Sequence, residues 1–108
     1  MSNNSVLNVI HYSKHLGEKD TRNIRTQGYV HRKLSEEIGE LSVEIQVQEG
    51  TTYKPAGKDG VQGEAVDIAI CAIDSFALEH PGKTAEEILE LFYKTMQIKL
   101  QKWADVQQ

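Results

Sequence analysis

Apolar residues recur along the chain at the spacing of one helix face in four separate segments. The clearest stripe has steps of four, three and four residues: Leu34, Ile38, Leu41 and Ile45. It predicts an amphipathic helix from about Tyr29 to Gln48. The other segments predict helices over about residues 5–16, 61–79 and 84–104, the last opened by a capping box of Thr84 and Glu87. No segment shows a strand pattern, so we expect an all-α protein, a four-helix bundle or a close variant.

The third segment differs because residues 66–74 are apolar almost all the way round the helix. Such a helix is normally buried. It nevertheless begins beside two carboxylates one turn apart, Glu64 and Asp67, and the second helix carries a similar pair, Glu37 and Glu40. A buried carboxylate is costly unless a cation or hydrogen bonds meet it. The two pairs therefore predict a cation held between these helices.

Composition narrows the class of protein. A chain of 108 residues builds one domain, and a net charge of −4 without a basic cluster argues against nucleic acid as the main partner. No apolar run approaches the roughly 20 residues of a membrane span. The single cysteine, Cys71, cannot form an intrachain disulfide. We expect a soluble, cytoplasmic protein with no membrane partner.

Oxygen ligands alone favour a hard divalent ion, Mg²⁺ or alternatively Mn²⁺. Di-iron bundles use Glu-x-x-His pairs, and neither acidic pair here ends in histidine. The alternative that Glu37 and Glu40 are ordinary surface acids stays open. So does the role of the glycine-rich segment 49–60, whose Lys54 and Lys58 suit either a lid over an anionic ligand or a simple connector.

The stretch Lys33–Leu41, with its Glu36-Glu37-x-x-Glu40 pattern, resembles the signature of the MazG-like, all-α nucleoside triphosphate pyrophosphohydrolases. In that family a Glu-Glu-x-x-Glu motif is followed, after a variable gap, by Glu-x-x-Asp, which Glu64 and Asp67 match here. The resemblance covers about residues 29–104, the core of a single domain spanning 1–108. It implies a helical bundle assembled as a homodimer or homotetramer.

The resemblance also implies an activity and a set of site residues. The activity is Mg²⁺-dependent hydrolysis of a nucleoside triphosphate, often a deoxynucleotide, to the monophosphate and pyrophosphate, as house-cleaning of the nucleotide pool. Four residues would be metal ligands: Glu37, Glu40, Glu64 and Asp67. Glu36 or Glu37 would position the attacking water. Substrate contacts are expected from Lys33, Lys54, Asp74, Lys99, Lys102 and Trp103.

One departure from the family pattern concerns the last helix. Many relatives carry an Asn where this chain has Lys99, followed three residues on by a basic residue and then an aromatic, here Lys102 and Trp103. This change puts the contacts to sugar and base in doubt. Trp103 either packs on the base or fills the core.

Other functions remain compatible with the sequence. Phosphoribosyl-ATP pyrophosphohydrolase shares the acidic pairs but typically has a Tyr-His after the second one, where this chain has Ile70-Cys71-Ala72. A dUTP-preferring relative, a nucleotide sensor and a non-catalytic helical interaction module are further alternatives. Val43, Val47 and the apolar third helix offer more apolar surface than one small bundle hides, so we expect self-association.

Overall fold

The computed structural model describes residues 2–107, and within that range the chain forms four helices and no strand. They are α1 (Ser5–Glu18), α2 (Gln27–Glu49), α3 (Gly60–Leu78) and α4 (Ala85–Gln107). The all-α prediction is confirmed. The predicted ends agree within a few residues, and the largest differences are that α1 continues through Gly17 and that α4 runs three residues further.

Local side-chain caps explain where the helices begin. The side chains of Asn4 and Thr26 accept the backbone N–H groups of Leu7 and Tyr29 at the starts of α1 and α2. The predicted capping box is present at α4, where Thr84 N–H donates to Glu87 Oε1 at 2.9 Å and Glu87 N–H donates to Thr84 Oγ1 at 3.2 Å. These bonds satisfy N–H groups that have no partner within the helix.

The central core lies where α1, α3 and α4 meet. Ile10 and Ile88 are completely buried there, together with Ala77 and Ala85. Phe76 of α3 packs edge-on against Phe92 of α4, with ring centroids 5.2 Å apart. Ile10 precedes the segment 29–104 that carries the family resemblance, so the core extends beyond it.

Helix α2 packs along α3 as a pair. At one end, Gln27 Nε2 donates to the Ser75 carbonyl and to Glu79 Oε2, both at 2.8 Å. Ser75 Oγ returns a 2.6 Å bond to Gln27 Oε1. These bonds fix the start of α2 against the end of α3, and the middle of α2 then lies beside the first turns of α3, where the acidic residues of both helices meet.

The single chain leaves apolar surface uncovered. Helix α3 is not buried on all sides within this chain, because Val66 is 57% exposed and Ile70 is also exposed. Trp103 is 62% exposed, so it does not fill the core of this chain. The radius of gyration is 16.3 Å, against about 13 Å for a compact domain of this length. The physical reason is that α1 and α2 cover only part of α3, and that the apolar side chains on the C-terminal half of α4 are largely exposed.

None of the four helices has both the length and the apolar composition that crossing a membrane requires.

Candidate metal centre

Carboxylates from α2 and α3 converge on one position. Glu37 and Glu40 lie one turn apart on α2, and Glu64 faces them from the first turns of α3. One oxygen of each lies within 4.8 Å of the others. We call these residues the first carboxylate group.

A second group adjoins the first and shares Glu64 with it. Its other members are Asp67, one turn further along α3, and Asp59, the residue just before α3. Their ligand oxygens also lie within 4.8 Å of one another. The structure thus brings together all four predicted metal ligands in two overlapping groups, and it adds Asp59, which sequence reasoning missed.

Two oxygens of the centre are sealed from solvent and have no hydrogen-bond partner: Glu37 Oε2 and Glu64 Oε2. Each exposes less than 1 Å². A buried polar atom without a partner normally costs stability, and native structures contain few of them. Of the three such atoms among residues 2–107, two belong to this centre, and the third is Arg25 Nε.

The pKa values of Glu64 and Glu37 are raised because both carboxyl groups are buried without a positive partner. Burial first, and then the hydrogen bonds and charges of Glu37 and Glu40, together raise the pKa of Glu64 to about 7. Burial also raises the pKa of Glu37, which a hydrogen bond from Glu64 partly opposes. Both groups thus hold protons more tightly than ordinary carboxyls, because burial disfavours the charged form and no lysine or arginine among residues 2–107 forms an ion pair with them.

The donor set fits a hard divalent ion. All donors are carboxylate oxygens, the type that Mg²⁺ and Mn²⁺ prefer, and no histidine or cysteine belongs to either group. The two sealed oxygens have no other partner, so an ion between the helices would satisfy both. Glu37, Glu40, Glu64 and Asp67 are the residues that would hold it.

The catalytic candidates Glu36 and Glu37 differ in position. Glu37 belongs to the first carboxylate group, whereas the Glu36 side chain is 63% exposed and lies 3.9 Å from Lys33 Nζ. Lys33 also lies over the Tyr29 ring, 5.8 Å from its centroid. The pair Lys33–Glu36 therefore occupies the solvent side of α2, beside the centre.

Asp74 has a structural partner that the sequence did not reveal. Arg25, from the connection between α1 and α2, donates to both Asp74 oxygens at 2.6 and 3.1 Å, and Ser13 Oγ of α1 donates to it at 2.5 Å. Arg25 is held in turn by Asp20, whose carboxylate accepts the Arg25 backbone N–H at 2.9 Å. Asp74 thus ties the α1–α2 connection to α3, and its predicted contact with substrate remains a prediction.

The remaining predicted substrate residues are dispersed. Lys54 is exposed on the segment between α2 and α3. Lys99 lines a small apolar cavity of about 140 Å³ with Phe76 and Phe92, and Lys102 and Trp103 are exposed on the last turns of α4. A surface cavity of about 560 Å³ lies along α1 and includes no residue of the centre. In this single chain the carboxylates are assembled and the predicted substrate contacts are not.

Arg25, Asp20 and Asp59 carried little sequence signal. Arg25 and Asp20 sit in a polar stretch that resembles any connecting segment, and only the fold brings Arg25 to Asp74, forty-nine residues away. Asp59 precedes a helix, which is the usual position of an N-cap. A spacing of five residues from Glu64 does not mark it as a ligand.

Comparison with models of protein families, with curated proteins and with solved structures gives no match to this chain.

Proposed function

We propose that this chain is a Mg²⁺-dependent nucleoside triphosphate pyrophosphohydrolase that converts a nucleotide or deoxynucleotide triphosphate to the monophosphate and pyrophosphate. The observation that carries the proposal is the pair of sealed, unpartnered oxygens on Glu37 and Glu64 inside the first carboxylate group. The Glu-Glu-x-x-Glu and Glu-x-x-Asp signature supports the choice of reaction. House-cleaning of the nucleotide pool in the cytoplasm is the role that fits this activity.

The chain's own residues would share the work as follows. Glu40, Glu64 and Asp67 bind and orient the metal–triphosphate. Glu37, from the same group, would accept the proton of the water that attacks the α-phosphorus, and pyrophosphate would leave as the bond to the β-phosphate breaks. Bound Mg²⁺ supplies the positive charge that offsets the triphosphate and stabilises the transition state. General-base catalysis of this kind contributes about 10²–10⁴-fold, so orientation by the ligands must supply much of the rest.

Of the two candidates for positioning the water, we favour Glu37. Glu36 faces solvent and pairs with Lys33, so it would act only after its side chain turned toward the centre. Glu36→Gln should then retain most activity, whereas Glu37→Gln should lose it.

We further propose that the functional unit is a MazG-type homo-oligomer, a dimer or a tetramer. The supporting observation is the uncovered apolar surface of the α2–α3 pair, where Ile38, Ile45, Val66 and Ile70 are exposed. Light scattering coupled to gel filtration tests this, and a monomer at micromolar concentration would contradict it.

The test of the activity is pyrophosphate release from eight NTPs and dNTPs, with and without Mg²⁺. Wild type is compared with Glu40→Gln and Asp67→Asn, and the matched control is Glu90→Gln, which removes an exposed acid from α4. We expect metal-dependent release of monophosphate and pyrophosphate, reduced at least about 100-fold in the two centre variants and unchanged in the control. Binding of nucleotide without product would indicate a sensor, and neither binding nor product would indicate a helical interaction module.

A further inference from the structure

The segment 50–59 joins the two helices that carry the carboxylate centre, and a buried side chain fastens it near its end. Glu44 of α2 is only 8% exposed, and its Oε1 accepts the backbone N–H of Gly57 at 2.6 Å. A hydrogen bond that a carboxylate accepts from a backbone N–H is among the stronger ones in proteins. The segment is therefore held against α2 at Gly57.

This close contact requires glycine at position 57. A Cβ atom added there would collide with the Glu44 carboxylate. Gly57 does not have a positive φ, whereas Gly50 and Gly60 do. Alanine is therefore disfavoured at position 57 by lack of space and not by backbone conformation. Gly57→Ala should thus separate the segment from Glu44 while every polar group of the chain is kept.

The fastened part of the segment lies beside the carboxylate centre. Glu44 is one turn beyond Glu40 on α2. Two residues after Gly57, the side chain of Asp59 reaches the second carboxylate group. The backbone is thus fixed by Glu44 on one side of Lys58 and adjoins the centre on the other side.

Lys58 is the residue that these two contacts enclose. It is exposed, and it forms no ion pair with any of residues 2–107. An ammonium group held at the edge of an oxygen-only metal site is suited to an anion that the metal also binds. A polyphosphate has this chemistry, because some of its oxygens ligate Mg²⁺ while others accept hydrogen bonds from lysine.

We propose that Lys58 binds the triphosphate at the carboxylate centre and that Glu44, through Gly57, is the residue that positions it. This inference rests on the proposed function and deepens it. Glu44 does not touch the substrate; it holds the backbone beside Lys58. The segment 50–59 is then a wall of the substrate site and not a simple connector.

The first test is hydrogen exchange at the Gly57 amide, followed by NMR in metal-free protein without nucleotide. Glu44→Gln keeps an acceptor oxygen and should retain most of the protection of the wild type. Glu44→Met has no acceptor, so its Gly57 amide should exchange at least about 10-fold faster. The matched control is Glu49→Gln, an exposed acid at the end of the same helix, which should leave the rate unchanged.

The second test is binding of the α,β-imido analogues of the four dNTPs, measured by calorimetry with Mg²⁺. Lys58→Met should raise the Kd about 10-fold, because a hydrogen bond between charged groups is lost. Glu44→Met and Gly57→Ala should raise it by a similar factor, and Glu44→Gln much less. Lys94→Met, which removes an exposed lysine from α4, is the matched control and should bind as wild type does.

A double variant shows whether Glu44 acts through Lys58. If it does, Glu44→Met should raise the Kd no further once Lys58→Met is present. An increase by the same factor with and without Lys58 would mean that Glu44 acts by another route, and would overturn its positioning role.

The outcomes separate this inference from the proposed function. An unchanged exchange rate of the Gly57 amide in Glu44→Met would overturn the fastening of the segment. Unchanged analogue binding in Lys58→Met would overturn the phosphate contact, and pyrophosphate release by wild type would stand in both cases. If wild type neither binds an analogue nor releases pyrophosphate, the proposed function fails, and the phosphate contact of Lys58 fails with it.

Discussion

Two carboxylates on α3, Asp74 and Glu64, lie in opposite electrostatic surroundings. Asp74, near the C-terminal end of the helix, accepts hydrogen bonds from the two terminal nitrogens of the Arg25 guanidinium, Nη1 and Nη2, and from the Ser13 hydroxyl. Glu64, ten residues earlier, faces two further carboxylates of α2 and keeps one oxygen sealed and unpartnered. Arg25 neutralises Asp74 at one end of α3, whereas no lysine or arginine among residues 2–107 forms an ion pair with Glu64 at the other end.

The difference separates a structural carboxylate from a candidate ligand. A buried carboxylate that meets an arginine in two-point geometry is satisfied inside the chain. It then holds two segments together and has little capacity left for a ligand. A buried carboxylate that meets only other carboxylates raises the free energy of the metal-free protein, and an external cation relieves that cost. We therefore interpret the C-terminal end of α3 as structural and its N-terminal end as the candidate cation site.

The largest effect is expected from removing the internal cation. Arg25→Met leaves Asp74 mostly buried without its partner, which should lower the free energy of unfolding by about 3–5 kcal/mol. Urea denaturation measures it. Arg22→Met, three residues earlier and exposed, is the matched control and should change stability by less than about 0.5 kcal/mol.

If Arg25→Met folds too poorly to be measured, a double variant still tests the prediction. Replacing both partners, Arg25→Met with Asp74→Leu, removes the unpaired charge and should recover part of the lost stability. A double variant as unstable as the sum of its two single variants would contradict the view that the pair acts as one unit.

The next effect concerns the external cation. If the first carboxylate group binds Mg²⁺ in the native state alone, Mg²⁺ at 100 times its Kd should raise the free energy of unfolding by about 2.7 kcal/mol. Glu64→Gln should abolish the increase, and Glu90→Gln should retain it. An increase of equal size in Glu64→Gln would place the ion elsewhere and remove the contrast between the two ends of α3.

The stability of the metal-free protein should depend on pH, because Glu64 is buried without a positive partner. Burial raises its pKa from 4.5 to about 7, so between these pH values the folded state binds more protons than the unfolded state. The stability that this group contributes is therefore present below about pH 4.5 and is lost as pH rises toward 7. Melting temperatures across this range should fall more steeply for wild type than for Glu64→Gln. Mg²⁺ binding near pH 6 should release protons, which calorimetry in buffers of different ionisation enthalpy detects.

The helices were predictable from sequence because their signals are local. The stripe Leu34–Ile45, the Thr84–Glu87 capping box and the stop at Pro81 each lie within a single short segment of the chain, and all four helices appear where these signals place them. The acidic pairs were also recognisable, since a spacing of three residues puts both carboxylates on one helix face.

The contacts that distinguish Asp74 from Glu64 were not predictable, because they join distant parts of the chain. Asp74 shared a helix face with Glu64 and Asp67, and nothing local indicated that Arg25 would reach it. The apolar run 66–74 predicted burial on every side, whereas the fold covers α3 only in part and leaves Val66 exposed. Sequence periodicity identifies an apolar face but does not say whether this chain or another copy covers it.

The smallest effect is expected from removing the Ser13 hydroxyl, the neutral hydrogen-bond donor to Asp74. This change tests whether that donor adds to stability when Arg25 is already present. Ser13→Ala removes the hydroxyl that donates to Asp74 at 2.5 Å. It should lower the free energy of unfolding by about 1–2 kcal/mol, since a hydrogen bond to a charged group is lost. Ser35→Ala, at an exposed helical position of α2, is the matched control, because both variants gain the same helix propensity from alanine. If Ser13→Ala is no less stable than Ser35→Ala, Arg25 alone satisfies Asp74, and the contrast with Glu64 reduces to the presence or absence of one internal cation.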